Sequence, residues 1–376
     1  MRLAFFHDFL LRFGGAEHVL FTMAKAYPEA PIYTLFCDFD GLKARYPEFA
    51  NRIHVHPKAQ RAYKLGRKIP LIGKQVSKLF LPYYGRWVEE IDFSDYDTVI
   101  ANSTAWGLGV VTPSWTKLIA YVHSPARYLW DYYPDYKREL GSKGQGSLRD
   151  TLLTYSLSRR RLENRVSADR PDAILCNSTL VADRIAKFYR RKATVLYPPV
   201  DIDNISCTGA SPQSYALILS TLTPYKNIDK ILSWWGDRET KLLIAGDGPD
   251  RERLKKLAGK NVTFLGYVSQ EKKTTLLEEA RLLFYPSMED FGIGPIEAMA
   301  AGKLTIALGK GGALETVTDG QTGIFVTDLS QKSLDHAWEK FCTIEKNYTA
   351  NHLRISSERF SRNSFLHSLS SYIDAS

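Results

Sequence analysis

The sequence predicts an α/β fold with two similar domains, each built on a parallel sheet. Short apolar runs of the kind found in buried parallel strands alternate with longer helical patterns along the chain. The 376 residues exceed what one hydrophobic core holds comfortably and suggest two domains of about 190 residues each. A turn-rich interruption near the middle of the chain separates two such alternations. We therefore expect two α/β domains joined by a linker.

The first alternation occupies residues 1–197. Its predicted strands are Leu3–Phe6, Thr98–Ala101, Leu118–Val122, Ala173–Cys176 and Ala193–Leu196. A linker follows, because Pro198 and Pro199 cannot continue a helix or a central strand and residues 207–214 are rich in turn formers.

The second alternation occupies residues 198–357. Its predicted strands are Tyr215–Leu219, Lys241–Ala245, Val262–Leu265, Leu282–Tyr285 and Leu304–Ala307. Its predicted helices are Asn227–Trp235, Asp250–Ala258, Gln270–Glu279 and Ser333–Thr343. Residues 358–376 are predicted to form one more helix, with apolar anchors at Phe360, Phe365, Leu369 and Tyr372.

The segment from Tyr285 to Thr316 has the pattern of an anion-binding edge. Gly292 and Gly294 leave the backbone unshielded, and Pro295 suits the first turn of a helix predicted over residues 296–301. Several unpaired amide groups can then face an anion at the positive end of the helix, and a diphosphate would suit that cradle.

Two glutamates flank this cradle. Glu289 follows the predicted strand Leu282–Tyr285, at the carboxyl end where open α/β sheets bind their ligands. Glu297 lies one turn inside the helix, close enough to accept hydrogen bonds from a ribose diol, and Glu289 is placed to hold sugar hydroxyls. The spacing therefore predicts a site for a nucleotide sugar.

The same segment resembles the E-x7-E signature of the retaining glycosyltransferases of family 4. Glu289 and Glu297 match the two glutamates, and Gly311, Gly312 and Glu315 match the GGxxE element that follows. The resemblance covers nearly the whole chain. It implies the GT-B architecture, with two Rossmann-like domains facing each other across a cleft and a C-terminal helix that crosses back to the first domain.

The family pattern implies a role for each part of the chain. Residues 1–197 would bind the acceptor, residues 198–357 would bind the nucleotide-sugar donor, and residues 358–376 would be the returning helix. Gly14 and Gly15 resemble the GGAE loop, whose backbone approaches the donor phosphate. His123 in YVHSPARYLWD matches the histidine that contacts the donor sugar near the reacting carbon.

Lys226 in LTPYKNID matches the lysine that pairs with the diphosphate. The arginine that usually precedes it is missing. Either Thr221 donates a neutral hydrogen bond in its place, weaker by roughly a factor of two, or another cation such as Arg127 or Lys310 has taken over.

The resemblance thus assigns a catalytic or donor-binding role to these residues: Gly14, Gly15, His123, Thr221, Lys226, Gly246, Tyr267, Val268, Glu289, Phe291, Gly292, Ile293, Gly294 and Glu297. Tyr267 and Val268 would lie near the base. The family retains the anomeric configuration and needs neither a cofactor nor a metal held by a DxD motif. Three DxD triplets occur here, at residues 38–40, 95–97 and 201–203, and we interpret them as chance because they lie away from the donor motifs.

Within the family, the sequence is most similar to enzymes that build bacterial lipid-linked surface polysaccharides, many of which use GDP-mannose. The resemblance therefore favours GDP-mannose as donor and a glycan or lipid-linked oligosaccharide as acceptor. No single residue distinguishes guanine from uracil, or mannose from its epimers.

The basic residues are unevenly distributed. The net charge is +9, and no acid occurs between Glu48 and Glu89, where basic residues such as Arg67, Lys68, Lys74 and Lys78 alternate with apolar ones. This pattern indicates either peripheral contact with an anionic membrane or an amphipathic helix packed on its own domain. No apolar run reaches the roughly eighteen residues of a membrane span, and we expect a cytoplasmic protein without a signal peptide.

Two other classes of protein deserve comparison. The glycines at 309, 311 and 312 do not form the GxGxxG of a dinucleotide-binding oxidoreductase. The basic composition would also suit a nucleic-acid binding or modifying protein, but no dedicated motif appears and the positive charge lies beside apolar anchors. We therefore expect no nucleic-acid partner.

Overall fold

The computed structural model describes residues 1–67, 81–140, 147–209, 214–236 and 238–374. The chain divides into two compact units. The first comprises residues 1–197 together with the end of the chain from Leu366, and the second comprises residues 198–365. Both are α/β, and each contains one all-parallel sheet.

The described residues of the first unit form a seven-stranded sheet with the order β3-β2-β1-β4-β5-β6-β7. Its strands are β1 (Leu3–His7), β2 (Ile32–Thr34), β3 (Ile53–Val55), β4 (Thr98–Ser103), β5 (Lys117–Val122), β6 (Ala173–Cys176) and β7 (Thr194–Val195). The helices are α1 (Gly15–Ala26), α2 (Phe39–Arg45), α3 (Pro57–Arg67), α4 (Leu81–Glu89), α5 (Tyr133–Glu139), α6 (Leu148–Ser167) and α7 (Thr179–Tyr189). Strands β1 and β4 are buried along their whole length, as expected for central parallel strands covered by helices on both faces.

The described residues of the second unit form a six-stranded sheet with the order β10-β9-β8-β11-β12-β13. The strands are β8 (Ala216–Leu219), β9 (Leu242–Ala245), β10 (Val262–Gly266), β11 (Leu282–Tyr285), β12 (Leu304–Leu308) and β13 (Gly323–Val326). The helices are α8 (Ile228–Trp235), α9 (Arg251–Leu257), α10 (Gln270–Glu279), α11 (Ile293–Ala300), α12 (Ala313–Thr316), α13 (Gln331–Ile344) and α14 (Ala350–Ser357). A last helix, α15 (Arg362–Asp374), contributes its residues from Leu366 onward to the first unit, where Lys117 Nζ donates to the Tyr372 carbonyl at 2.8 Å.

The predicted fold class is confirmed: both halves are Rossmann-like parallel-sheet domains. Three strands were missed, namely β2, β3 and β13. The first two have only three residues, and β13 begins with a glycine, which leaves an apolar run of three residues. The helix predicted over residues 296–301 begins earlier, at Ile293, so that Pro295 occupies its third position. The final helix begins at Arg362 and not at residue 358, because residues 358–360 form a 3-10 turn.

Both sheets reverse their strand order near the middle. The reversal lies between β1 and β4 in the first unit and between β8 and β11 in the second. In open α/β sheets the loops on either side of such a point diverge and leave a crevice at the carboxyl ends of the strands. Each unit therefore has one edge where a ligand site is expected.

Two expectations from the sequence concern the membrane: the basic segment and the lack of a membrane-spanning run. Lys68, Lys74 and Lys78, the centre of the basic segment, lie outside the described residues. Among the helices that the structure describes, none has both the length and the apolar character needed to cross a bilayer.

Candidate functional site

In the second unit, Lys226 and Glu289 form an ion pair across the reversal point of the sheet. Lys226 ends a short 3-10 turn after β8 and is buried to 9 % exposure, whereas Glu289 follows β11. Asn227, next to Lys226, donates from Nδ2 to the Pro286 carbonyl at 3.1 Å, which ties the two loops together. Ser287 Oγ adds a hydrogen bond to Glu289 Oε1 at 3.1 Å. A lysine ammonium and a carboxylate are thus held at the position where a ligand is expected.

The Glu289 loop is fixed by the double-glycine turn after β12. The Gly312 amide donates to the Glu289 carbonyl at 2.9 Å. A Cβ at residue 312 would lie 2.1 Å from the Phe291 carbonyl oxygen, and Gly311 has a φ of +66° that favours glycine. The structure therefore explains the two glycines, because only glycine allows this turn to approach the backbone of the Glu289 loop so closely.

Helix α11 begins at the same edge of the sheet. Gly292 precedes it with a φ of +100°, and Ile293 and Gly294 are its first two residues. The first amides of a helix have no partner within the helix, so those of Ile293 and Gly294 lie at its positive end. Phe291 is buried and packs edge-on against Phe360, 5.7 Å between ring centroids.

Glu297 is buried in the next turn of α11, with 7 % exposure. Its Oε1 accepts from Lys273 Nζ of α10 at 2.6 Å. A buried carboxylate requires such a partner, because an unpaired charge is costly away from water. Lys273 is a member of this site that the sequence reasoning missed. It lies inside a helix with no local motif, so only the folded structure brings it to Glu297.

The remaining predicted donor residues lie at the carboxyl ends of the other strands. Thr221 is exposed just after β8. Gly246 directly follows β9 and has a φ of +135°, and a Cβ there would meet the Ser220 carbonyl oxygen at 1.8 Å. Tyr267 follows β10 and is 74 % exposed, with Val268 partly buried beside it. One edge of the second sheet thus carries cations, helix amides, two carboxylates and an exposed aromatic ring.

In the first unit, His123 belongs to a hydrogen-bonded cluster at the carboxyl ends of β1, β4 and β5. The network of contacts assigns its protons. His123 Nε2 lies 2.7 Å from Asn102 Oδ1, and Asn102 Nδ2 donates to the Ala16 carbonyl at 2.9 Å. Asn102 Oδ1 is therefore the acceptor, His123 Nε2 carries the proton, and Nδ1 keeps a lone pair when the ring is neutral.

His7 is the second histidine of this cluster. It is buried, with Nδ1 2.7 Å from the Asn102 carbonyl oxygen and 3.0 Å from Asn102 Nδ2, and with Nε2 3.4 Å from Glu17 Oε1. Burial alone would lower the pKa of His7, but the hydrogen bond and charge of Glu17 outweigh it and raise that pKa above its usual value. Burial would likewise raise the pKa of Glu17, and His7 lowers it instead.

The pKa of His123 is shifted in the opposite direction. Burial, and next the positive His7, lower the pKa of His123 to about 3. The imidazole is therefore neutral near pH 7 and can accept a hydrogen bond at Nδ1, but it cannot supply a positive charge or act as a strong acid.

The glycine turn before α1 has a hydrogen bond within the protein. The Gly14 amide donates to Glu17 Oε2 at 2.9 Å, so this carboxylate already satisfies it. Gly15 is the first residue of α1. His7 and Asn102 were missed by the sequence analysis, although the rule that located Glu289, a polar residue at the carboxyl end of a parallel strand, would have found both.

Two of the three DxD triplets have contacts within the protein that explain their carboxylates. Asp97 accepts from the Arg2 amide at 2.6 Å, Asp201 pairs with Arg362, and Asp203 lies 4.0 Å from Arg354. These carboxylates anchor the chain terminus and the linker.

Solved structures share this architecture at low sequence identity. The Anabaena protein HepE in complex with UDP-glucose aligns over the whole of both chains with a TM-score of 0.66 and 20 % identity. The lipopolysaccharide outer core galactosyltransferase WaaB aligns over 100 % of this chain and 99 % of its own with a TM-score of 0.66 and 16 % identity. These similarities establish the GT-B fold.

Relatives by sequence are also glycosyltransferases. An uncharacterized glycosyltransferase of Methanocaldococcus jannaschii is 24 % identical over 50 % of this chain and 55 % of its own. The alpha-1,3/1,6-mannosyltransferase ALG2 of Kluyveromyces lactis is 24 % identical over 85 % of this chain and 71 % of its own. Its Dictyostelium discoideum counterpart is 45 % identical over 21 % of this chain. The alignments span only 55 % of the archaeal protein and 19 % of the Dictyostelium one.

Two family models cover almost all of the sequence. The one described as glycosyl transferases group 1 matches residues 208–360. The one described as Glycosyltransferase Family 4 matches residues 13–204, just over half of the chain. The chain therefore has the GT-B fold and belongs to glycosyltransferase family 4.

Proposed function

We propose that the protein is a retaining glycosyltransferase that moves a sugar, with mannose from GDP-mannose as the first candidate, from a nucleotide sugar to a hydroxyl of a lipid-linked glycan. The observation that carries this proposal is the edge of the second sheet where Lys226, Glu289, Glu297 and the first amides of α11 converge. That set matches the two ends of a nucleotide sugar, with cation and amides for the diphosphate and carboxylates for hydroxyls.

The chemistry at this edge follows from charge. The departing nucleoside diphosphate gains negative charge as the glycosidic bond breaks, and Lys226 together with the α11 amides would stabilise it. Preorganised donors of this kind contribute about 10² to 10³ in rate each. Glu289 would then hold sugar hydroxyls and Glu297 the ribose diol, while Tyr267 offers an aromatic face for the base.

The first unit would contribute His123 to recognition of the sugar. Its neutral ring can accept a hydrogen bond from a sugar hydroxyl at Nδ1 while Asn102 fixes the ring through Nε2. No metal or cofactor enters this scheme, and the departing phosphate itself would assist removal of the acceptor proton. The configuration of the product, read by NMR, tests this scheme, because an inverted linkage would contradict it.

The choice of donor rests on relatives. ALG2 is named a mannosyltransferase, which supports mannose, whereas HepE was solved with UDP-glucose, which supports a uridine nucleotide as the second candidate. Calorimetric titration of GDP, UDP and ADP against the purified protein decides between them. Tightest binding of GDP is expected, tightest binding of UDP would favour the second candidate, and no binding of any of the three would contradict a nucleotide-sugar site.

Contact with an anionic membrane is proposed from the sequence of the basic segment alone. Each Lys or Arg near an acidic bilayer adds about 1 kcal/mol of attraction. Changing Arg67, Lys68, Lys74 and Lys78 together to glutamine should release the protein from vesicles that contain acidic lipid. Unchanged vesicle binding would contradict the proposal and favour a soluble acceptor.

A further inference from the structure

A stripe of large apolar side chains runs along the exposed face of α6 in the first unit. Leu148, Leu152, Tyr155, Leu162 and Val166 are each between 53 % and 76 % exposed. The other face of the helix packs inward through Leu157, which is 4 % exposed. A monomeric protein rarely leaves so continuous an apolar patch in water, and such patches mark interaction sites.

The spacing of the stripe is that of a helix-pairing seam. Together with Arg159, the exposed positions 148, 152, 155, 159, 162 and 166 are separated by alternating steps of four and three residues. This is the a/d repeat with which one helix packs its side chains into the spaces of another. Arg159 is the one charged residue in the seam.

A groove beside the seam gives room for side chains from a second helix. It has a volume of about 760 Å³ and lies between α4 and α6, with Trp106, Leu108 and Gly109 among its lining residues. Tyr155, Leu162 and Val166 form part of the wall on the α6 side.

We propose that α6 of one copy of the chain packs antiparallel against α6 of a second copy. The two-fold axis would cross the seam midway between Tyr155 and Arg159, at the level of position 157 along the helix. The sequence is self-complementary in this register. Leu148 faces Val166 of the second copy, and Leu152 faces Leu162 of the second copy. Tyr155 faces Arg159 of the second copy, where a guanidinium can stack on an aromatic ring. Every seam position is then matched, as a symmetric dimer interface requires.

The middle of the seam also suits a second copy. Of the arginines that line the groove, Arg159 is paired with Glu163 at 3.0 Å and Arg170 with Glu89 at 2.6 Å. Ser156 and Ser158 flank the proposed axis and allow the two helices to approach closely.

The size of the stripe is compatible with a dimer. Five large apolar side chains, each more than half exposed, offer on the order of 500 Å² per copy, or about 1,000 Å² for a pair, near the lower bound for a biological interface. The packing of groove residues around the seam adds to this area. The proposal is independent of the proposed function, because it concerns neither the donor nor the acceptor.

The test is the mass of the protein in solution. Sedimentation equilibrium of the full chain should give a dimer that dissociates on dilution. The variant Leu152→Glu with Leu162→Glu should be monomeric, because its facing glutamates repel one another. Both leucines are more than half exposed, so the fold should persist, which circular dichroism checks. As matched controls, Leu314→Glu and Ile355→Glu, each at a site 56 % exposed in the second unit, should leave the dimer intact.

A charge-swap experiment tests the register. The variant Leu152→Lys with Leu162→Lys should also be monomeric alone, and an equimolar mixture of the Lys and Glu variants should restore the dimer. A parent protein that stays monomeric at all concentrations, a Glu variant that stays dimeric, or a mixture that stays monomeric would each overturn the proposal. So would a monomeric parent that acidic vesicles capture through the same leucines, which would make the stripe a lipid-binding face.

Discussion

At the residue scale, each glutamate assigned to the donor is held by a lysine. Glu289 pairs with Lys226, which the resemblance assigns to the diphosphate, and Glu297 pairs with Lys273. A diphosphate that approached Lys226 would compete with Glu289 for the same ammonium group. Removing Glu289 should therefore not weaken binding of a free nucleoside diphosphate, whereas removing Glu297 should.

Lys273→Gln should destabilise the second unit. The change leaves the Glu297 carboxylate buried without its 2.6 Å partner, and an unsatisfied buried group costs about 1 to 3 kcal/mol, more when it is charged. Differential scanning calorimetry should show the melting temperature lowered by several degrees. Lys272→Gln is the matched control, since Lys272 is exposed on the same helix and should change stability by less than about 0.5 kcal/mol. Equal effects of the two changes would contradict a structural role for the Lys273–Glu297 pair.

The two histidines of the first unit should titrate in opposite directions. Since the folded pKa of His7 is raised, its contribution to stability is present at low pH and is lost as pH rises through that folded pKa. The pKa of His123 is lowered to about 3, so protonation of the unfolded chain removes stability as pH falls from about 6.5 toward 3.

Proton NMR of the imidazole ring protons, assigned with His7→Asn and His123→Asn variants, measures both values. His7 should titrate above the ordinary range, and His123 should remain neutral throughout the range in which the protein stays folded. A His123 resonance that titrates near pH 6.5 would contradict the burial of this ring beside His7.

At the element scale, the carboxyl edge of the second sheet is shaped by contacts between loops as well as by side chains. The turn after β12 supports the loop after β11 through Gly312, and the turn after β9 passes against the loop after β8 through Gly246. Glycine is needed at these points because the backbones approach more closely than a Cβ allows. The loops therefore hold Lys226 and Glu289 in fixed positions before any ligand arrives.

Gly312→Ala should disturb this edge without straining its own backbone. Its φ is −63°, which suits alanine, but the added Cβ would lie 2.1 Å from the Phe291 carbonyl oxygen, so the loop that carries Glu289 must move. A loss of roughly 1 to 3 kcal/mol in stability, read as a lower melting temperature, is expected. Gly85→Ala is the control, because its nearest neighbour would be 3.9 Å away and alanine favours a helix. Equal melting temperatures for the two variants would show that the loops adjust freely.

The sequence predicted most of these elements, and the exceptions have physical reasons. The apolar runs that became β6 and β11 were predicted with their observed ends, because buried parallel strands are continuous apolar runs between polar turns. The strands β2 and β3 were missed because three residues are too few to show periodicity. Lys273 was missed because its contact with Glu297 joins residues on two different helices, which no local motif encodes.

At the scale of the whole molecule, both units have a Rossmann-like parallel sheet. The residues at the carboxyl ends of the strands differ in chemistry between the two units. The first unit has a neutral His123 fixed by Asn102 and a buried His7–Glu17 pair. The second has lysines, carboxylates and helix amides, the set that a nucleotide sugar needs. Family membership rests on the family models, and the geometry of Lys226, Glu289 and Glu297 in the second unit supports the proposed nucleotide-sugar site.

Calorimetric titration of GDP and GDP-mannose against the parent protein, Glu289→Ala and Glu297→Ala tests the central claim most directly. Glu297→Ala should weaken binding of both ligands by roughly tenfold or more, since a hydrogen bond to a charged group contributes about 1.5 to 3 kcal/mol. Glu289→Ala should bind GDP at least as tightly as the parent, but should lose the additional affinity that the sugar provides and turn over slowly. If both variants bind and turn over like the parent, the carboxyl edge of the second sheet is not the donor site.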